Sequence, residues 1–212
     1  MKYTPRAEDD WTTPDAVLLG VWSTLARAAE RAKEPWHSPT LCTVDPAGAP
    51  AARTVILRAT DRASRTLACH TDARSPKLEH IAHDPRVAWH FYDPPRKVQL
   101  RAVGVATVHT IGPLADQRWA ASTLSSRRCY LAPHTPGHPT PDDREGPDPN
   151  LPDDLRNRVP TEAETRPGRA NFAVIETRIA ALDWLYLKHD GHRRARFEWN
   201  GTDKPRATWT MP

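Results

Sequence analysis

Cysteine is scarce in this chain. Cys42, Cys69 and Cys129 stand far apart among 212 residues and form no C-x-x-C pair. An odd, scattered set argues against a disulfide framework and a structural zinc site, and it suits a reducing cytoplasm. Long apolar runs are lacking as well. No stretch approaches the roughly 20 residues a membrane-spanning helix needs, and Met1-Lys2-Tyr3-Thr4-Pro5-Arg6 carries no apolar signal core. The expectation is a cytoplasmic protein without a membrane partner. Also missing are a G-x-G-x-x-G after a strand, a Gly-x-Ser-x-Gly elbow and an H-E-x-x-H, so a Rossmann nucleotide site, an α/β-hydrolase and a zincin are not indicated. His80 and His83, like His189 and His192, are three apart, but ten histidines produce such pairs by chance, and no metal is expected. Dense charge is confined to Arg193-Arg194-Ala195-Arg196. Elsewhere 30 bases and 26 acids, a net +4, are interspersed, so no nucleic-acid partner is expected.

What is present points to one domain over residues 1–212, large enough to bury roughly 70% of its unfolded surface. A hydrophobic fraction of only 38% beside 22 prolines implies that part of the chain is loop. Thr13-Pro14 opens a helix, Thr13 as cap and Pro14 in the first position. Leu18, Val21, Trp22, Leu25 and Ala29 continue it at helical spacing toward Lys33. Leu41–Val44, the turn Asp45-Pro46-Ala47-Gly48 and a return strand Ala52–Ala59 read as a hairpin. Thr66–His70 is a short strand, and Ser75-Pro76 and Asp84-Pro85 bracket a second helix. Arg86–Tyr92 and the long Val98–Val108 follow as strands, with Gly104 marking a bulge or a close backbone approach. A helix runs from Pro113 to about Ser125. Pro133–Pro167 holds nine prolines and eight acids and is expected to be an irregular arm, spanning about 133–170. Strand character returns over Phe172–Leu187, with Asp190-Gly191 and Asn200-Gly201 as hairpin turns and a last strand near Ala207–Met211. The order suits a mainly β, closed antiparallel barrel with flanking helices. Trp22 and Trp89 read as core, and Arg127-Arg128 as a helix-end charge pair.

Three features converge on a phosphate. Thr71 to Lys77 carries a strand end into a helix start, where free N–H groups and the helix dipole attract an anion, with Ser75 adding a hydroxyl and Lys77 a charge. Arg53 and Arg58 interrupt an otherwise apolar strand and need an anionic partner if they point inward. Five apart, they fall on opposite faces of a regular strand. Gln99 opens the long strand with an amide able both to donate and to accept a hydrogen bond.

This ordered series resembles the pyridoxamine 5′-phosphate oxidase family and its FMN-binding relatives. It comprises Arg53-Thr54-Val55-Ile56-Leu57-Arg58, His70-Thr71 with Ser75 and Lys77, Asp84-Pro85-Arg86-Val87, then Gln99 and Gly104. The resemblance implies an antiparallel split β-barrel with flanking α-helices. It also implies FMN as cofactor, held by a homodimer at the subunit interface. Arg53 through Arg58, His70, Thr71, Ser75, Lys77, Gln99, Ser125, Trp184 and Arg196 correspond to cofactor-binding positions. Trp184 and Arg196 come from the second subunit. Arg58, where the family has lysine, and Arg193 correspond to positions near the substrate. The implied chemistry is hydride transfer from a small substrate to the flavin, with electrons passed on to oxygen. No side chain is an evident general base. A flavin reductase or deazaflavin-dependent reductase in the same barrel, or a flavin-binding protein without turnover, are the alternative readings. The chain departs from the family at Pro76 and Leu124, and the family's substrate tyrosine has no counterpart.

Overall fold

The computed structural model describes residues 9–139 and 150–212. The N-terminal hexapeptide and the middle of the proline-rich arm lie outside them. Thr13 accepts a hydrogen bond from the Ala16 N–H and starts helix α1 (Pro14–Glu30) as its side-chain cap. Strands β1 (Thr40–Val44) and β2 (Pro50–Thr54) form a hairpin in antiparallel register. The Asp45 carboxylate accepts from the N–H groups of Ala47 and Ala49 at 2.9 and 2.8 Å. Gly48 closes the turn at φ +84°, where a side chain would be strained.

The expected return strand Ala52–Ala59 is two strands. The chain leaves β2 at Thr54 and re-enters the sheet as β3 (Leu57–Asp61), which pairs with β4 (Thr66–Asp72) rather than with β1. Arg53 and Arg58 are therefore separated by this break, which no local pattern announces. Helix α2 (Pro76–His83) follows β4. Strands β5 (Arg86–Asp93) and β6 (Val98–His109) come next, then α3 (Pro113–Ala121) and α4 (Leu124–Arg127). The helix expected to run unbroken from Pro113 is interrupted at Ser122 and Thr123, and Thr123 caps α4. The described part of the arm, residues 150–171, carries short helical turns. Turns of 3-10 helix at Asp153–Leu155 and Arg166–Asn171 flank α5 (Glu162–Thr165), which opens with a reciprocal Thr161–Glu164 capping box. The Arg128 guanidinium ties this segment down by donating to the carbonyls of Leu155, Arg156 and Arg158.

The last three strands are β7 (Phe172–Tyr186), β8 (Arg193–Glu198) and β9 (Arg206–Thr210). The sheet order is β2-β1-β5-β6-β7-β4-β3, with β8 and β9 continuing from β7. One edge of β7 pairs with β6 over its whole length. The other pairs with β4 through its first half and with β8 through its second. The sheet is antiparallel throughout and curls into a barrel-like form. Gly104 sits at the shift of register between β6 and β7. A Cβ there would lie 2.1 Å from the Arg178 carbonyl oxygen, so only glycine allows the approach.

The sheet buries two faces. Inside the barrel, Leu25 and Trp22 of α1 join Leu41, Leu57, Leu67, Trp89, Phe91, Leu100, Trp184 and Phe197 in the main core. Trp89 meets its polar need there by donating from Nε1 to Thr177 Oγ1 at 3.0 Å. On the outside, Ala68, Phe172 and Val174 pack against Trp119 of α3 and against Tyr130. Arg127 is buried, donates to the carbonyls of Trp119 and Ala120, and stacks on the Trp119 ring. It closes the end of α3. Among the described residues no helix is long and apolar enough to cross a membrane.

Candidate functional site

Strand β4 alternates its side chains between the two faces, and that alternation separates two cationic groups. Thr71 and Cys69 turn toward the barrel side, and His70 turns to the outer one. On the barrel side, Lys77 in the first turn of α2 donates to Thr71 Oγ1 at 2.8 Å and to Ser75 Oγ. Ser75 precedes the helix but does not cap it with its side chain. Its hydroxyl is turned to the lysine instead. Arg53 lies close enough for its charge to act on Lys77. Burial first, and Arg53 second, push the lysine pKa below its ordinary value.

The Arg53 guanidinium is oriented from three sides. One terminal nitrogen donates to Thr43 Oγ1 at 2.7 Å and to the carbonyls of Leu41 and Ala51, both at 3.2 Å. Thr43 is buried, and its Oγ1 lies 3.0 Å from His80 Nδ1 on α2. The hydroxyl accepts from the arginine and shares a hydrogen bond with the imidazole nitrogen. A chain of contacts thus couples Arg53 to the helix that carries Lys77. No ion pair within the described residues holds either cation. The nearest acid that acts on Lys77, Asp72, is committed to Arg74 through 2.7 and 3.0 Å contacts. Two half-buried cations this close, with no carboxylate between them, would be favoured by an anionic partner.

On the outer face, Arg58, His70, Ser122, Ser125, Ser126 and Tyr130 line a pocket of about 350 Å³. A smaller adjoining pocket, about 190 Å³, shares Arg58 and His70 and adds Arg118 of α3. His70 packs edge-on against Phe172. Burial, with the Arg58 and Arg118 charges behind it, pulls its pKa down to about 4, so the imidazole is neutral at ordinary pH. Burial likewise raises the Tyr130 pKa and keeps its hydroxyl protonated. Cys69, on the other face, is pushed up to about 12 by burial and is no thiolate nucleophile.

The structure brings Arg53, Thr71, Ser75 and Lys77 together, and it gathers Ile56, Arg58, His70 and Ser125 around the outer pocket. Thr54, Val55 and Leu57 lie in and beside the break between β2 and β3, with Val55 and Leu57 buried in the main core. The remaining expected positions are elsewhere in the same chain. Gln99 pairs in register with Tyr92 and Leu185. Val174, paired to both His70 and His109, marks the opposite end of β6. Ten residues of strand, roughly 30 Å of path, separate the two ends. Trp184 is buried against Trp11, Arg196 pairs with Glu198 at 2.9 Å, and Arg193 reaches the Trp11 carbonyl. Thr43, His80 and Arg118 escaped the sequence reading. A threonine in a short strand, and an arginine or histidine on a helix, look like ordinary surface residues until the partner elements are placed.

Residues 20–110 match the family described as pyridoxamine 5′-phosphate oxidase, FMN-binding domain. Over 107 residues the chain is 30% identical to pyridoxine/pyridoxamine 5′-phosphate oxidase 2 of Arabidopsis thaliana, a match that covers 47% of this chain and 53% of the relative. The chain thus spans about half the length of that curated relative. A pyridoxamine 5′-phosphate oxidase-related, FMN-binding protein from Nostoc punctiforme PCC 73102 shares the fold with a TM-score of 0.68. It is 22% identical and covers 91% of this chain and 96% of its own. PhzG from Burkholderia lata 383, solved with tetrahydrophenazine-1-carboxylic acid, superposes with a TM-score of 0.65 at 16% identity, over 99% of this chain and 98% of its own. The chain is thus similar in sequence to the pyridoxamine 5′-phosphate oxidase FMN-binding domain over residues 20–110, and it shares a fold with the two solved structures over nearly its whole length.

Proposed function

We propose that the protein is an FMN-dependent oxidoreductase acting on a small molecule, working as a cytosolic homodimer. The observation that carries this reading is the pair Arg53 and Lys77, two half-buried cations with hydroxyls around them and no acid to neutralise them. The residues fit FMN. Its phosphate is a dianion, and the matched segment is an FMN-binding domain that includes both cations. Arg53 would hold the phosphate with the free part of its fork, Lys77 with a proton not spent on Thr71 or Ser75, and Thr71 and Ser75 would set the lysine's direction.

When bound, the flavin supplies the hydride acceptor, and the protein supplies position and electrostatics. Neutral His70 and protonated Tyr130 offer hydrogen bonds at the outer pocket without a charge of their own. None of the described side chains there is a carboxylate poised to take a proton, which fits hydride transfer governed by positioning. The dimer is supported by what one chain leaves apart. Gln99 and Arg196 lie at the far end of β6 and β7 from Lys77, so a site that includes them would need a second copy to bring them in, whereas Trp184 is buried in its own chain's core. Three free cysteines accord with a reducing compartment.

The purified protein is expected to be yellow, to show flavin absorption bands and to elute as a dimer in calibrated gel filtration. Arg53→Ala and Lys77→Ala are expected to weaken FMN binding by about ten- to hundredfold each, the effect of losing one hydrogen bond to a charged group. Riboflavin, without the phosphate, is expected to be nearly indifferent to both. Equal losses for FMN and riboflavin would refute the phosphate assignment. A colourless monomer that takes up no FMN would refute the whole reading.

A further inference from the structure

The start of α1, the turn from β3 into β4 and the turn from β8 into β9 enclose a cavity of about 820 Å³. Arg65, which lines it, stands six positions before Thr71, roughly 20 Å along the strand, so the cavity is remote from the Arg53–Lys77 pair. Trp22 and Trp199, both largely buried, form its aromatic wall. Neither indole N–H has a hydrogen-bond partner among the described residues, whereas that of buried Trp89 does. Arg65 lays its guanidinium over the Trp199 ring, 5.5 Å from the centroid. Its backbone sits in the left-handed region at φ 59°, which disfavours a residue with a side chain. The Ile179 N–H holds it there by donating to its carbonyl at 2.9 Å. Two more cations, Arg62 and Lys204, and two acids, Asp15 and Asp203, also line the cavity. Among the described residues no ion pair and no side-chain hydrogen bond engages any of these five charges. Neighbouring charges elsewhere on the chain do pair, as Lys188 does with Asp190 and Arg156 with Asp153.

We propose that this cavity binds a nucleotide, with the base against Trp199 and Arg65, the phosphate on Arg62 and Lys204, and sugar hydroxyls donating to Asp15 and Asp203. The lining argues for that class over simpler ones. An inorganic anion would leave the tryptophans unused and meet two carboxylates. An apolar ligand would cover five charges without pairing any of them. A nucleotide carries a planar ring, hydrogen-bond donors and an anionic group in one molecule, and the cations outnumber the acids by three to two. Stacking on an indole and a guanidinium suits any base. The arginine fork and the lysine ammonium both suit phosphate oxygens. The volume lies within the range of roughly 300–1,000 Å³ usual for small-molecule sites. The site stands apart from the FMN reading, because it shares no residue with the Arg53–Lys77 pair or with the outer pocket.

The test uses the full chain loaded with FMN and freed of excess flavin. AMP and UMP are titrated by calorimetry as purine and pyrimidine probes, with adenosine, uridine and inorganic phosphate as part-ligands. The tighter nucleotide is expected to bind at one site per chain, at least about tenfold more tightly than its nucleoside or phosphate alone, because it engages the aromatic wall and the cations together. Arg65→Gln is expected to weaken it roughly ten- to hundredfold. Lys204→Gln is expected to weaken the nucleotide and leave the nucleoside unchanged. It lies on an exposed turn and carries the test if Arg65→Gln fails to fold. The dissociation constant for FMN is expected to stay the same in both variants. Wild type that binds neither nucleotide, phosphate that binds as tightly as the nucleotide, or a nucleotide that displaces FMN overturns the proposal. A chain that takes up no FMN is titrated in the same way, so failure of the FMN reading and failure of this one are told apart.

Discussion

Replacing Thr43 by valine removes one hydroxyl and keeps the shape of the side chain. Thr43 is only 3% exposed, so water cannot take the place of the lost oxygen. Arg53 would forfeit its 2.7 Å contact, the shortest of three, and retain the two carbonyls at 3.2 Å. His80 would lose its partner on β1. A hydrogen bond to a charged group contributes about 1.5–3 kcal/mol. With two of three contacts left, about half of that should appear as lost orientation of the guanidinium toward the phosphate. FMN affinity should then fall by about 0.8–1.5 kcal/mol, or roughly three- to twelvefold. Fluorescence quenching on titration with FMN reads this directly. Riboflavin is the control ligand, since its affinity should move little. Thr43→Ser is the control variant, since it restores the hydroxyl and should restore FMN binding. Folded Thr43→Val that binds FMN as well as wild type would show that Arg53 is not held through Thr43. A parallel loss for riboflavin would show that the change acts through packing.

Arg96→Ala should cost about 3–5 kcal/mol in urea unfolding, because Arg96 is buried with Asp9 and Asp93 and also donates to Thr24. Gly104→Ala should cost about 1–3 kcal/mol, because its methyl group meets the Arg178 carbonyl. His70 makes stability depend on pH in a defined direction. Its folded pKa, about 4, lies below the ordinary 6.5, so the unfolded chain binds more protons between those values. Stability should fall as pH drops from 6.5 toward 4, and denaturation curves of His70→Gln should show a shallower fall there. Peroxide release from pyridoxamine or pyridoxine phosphate should be slow, because the family's substrate tyrosine has no counterpart here. Efficiency of roughly 10⁴ M⁻¹s⁻¹ or above would contradict that expectation.

Local signals in the sequence mark local structure accurately. Thr13-Pro14 starts α1, Asp45 to Gly48 makes the first turn, and Gly104 lies at a register shift. In each case a neighbouring backbone conformation decides the residue. The break at Val55 and Ile56 is different. The two strands are nearly continuous in sequence, and they separate only because β2 pairs with β1 while β3 pairs with β4. The same holds for the site. Lys77 with Thr71 and Ser75 is legible because seven consecutive residues contain them all. Arg53 joins them through Thr43 and His80, contacts that span ten and 37 positions. Arg118 meets His70 only after α3 has folded onto the outside of β4 and β7. In the described part of the arm the order comes from tertiary contacts that its composition does not announce. Its composition lacks an apolar core, yet single residues such as Leu155 and Thr165 are buried and Arg128 satisfies its carbonyls.

The central position of β7 sets an order of events for a chain emerging from the ribosome. Until residues 172–186 have been made, β4 has only β3 beside it and β6 has only β5. Two separate half-sheets must therefore wait, each with an open edge of unpaired N–H and C=O groups. The arrival of one late strand joins them and buries both edges together. Folding should then be slow and strongly cooperative, as pairings distant in sequence require. A nascent chain arrested before Phe172 should be the species most prone to aggregate or to recruit chaperones.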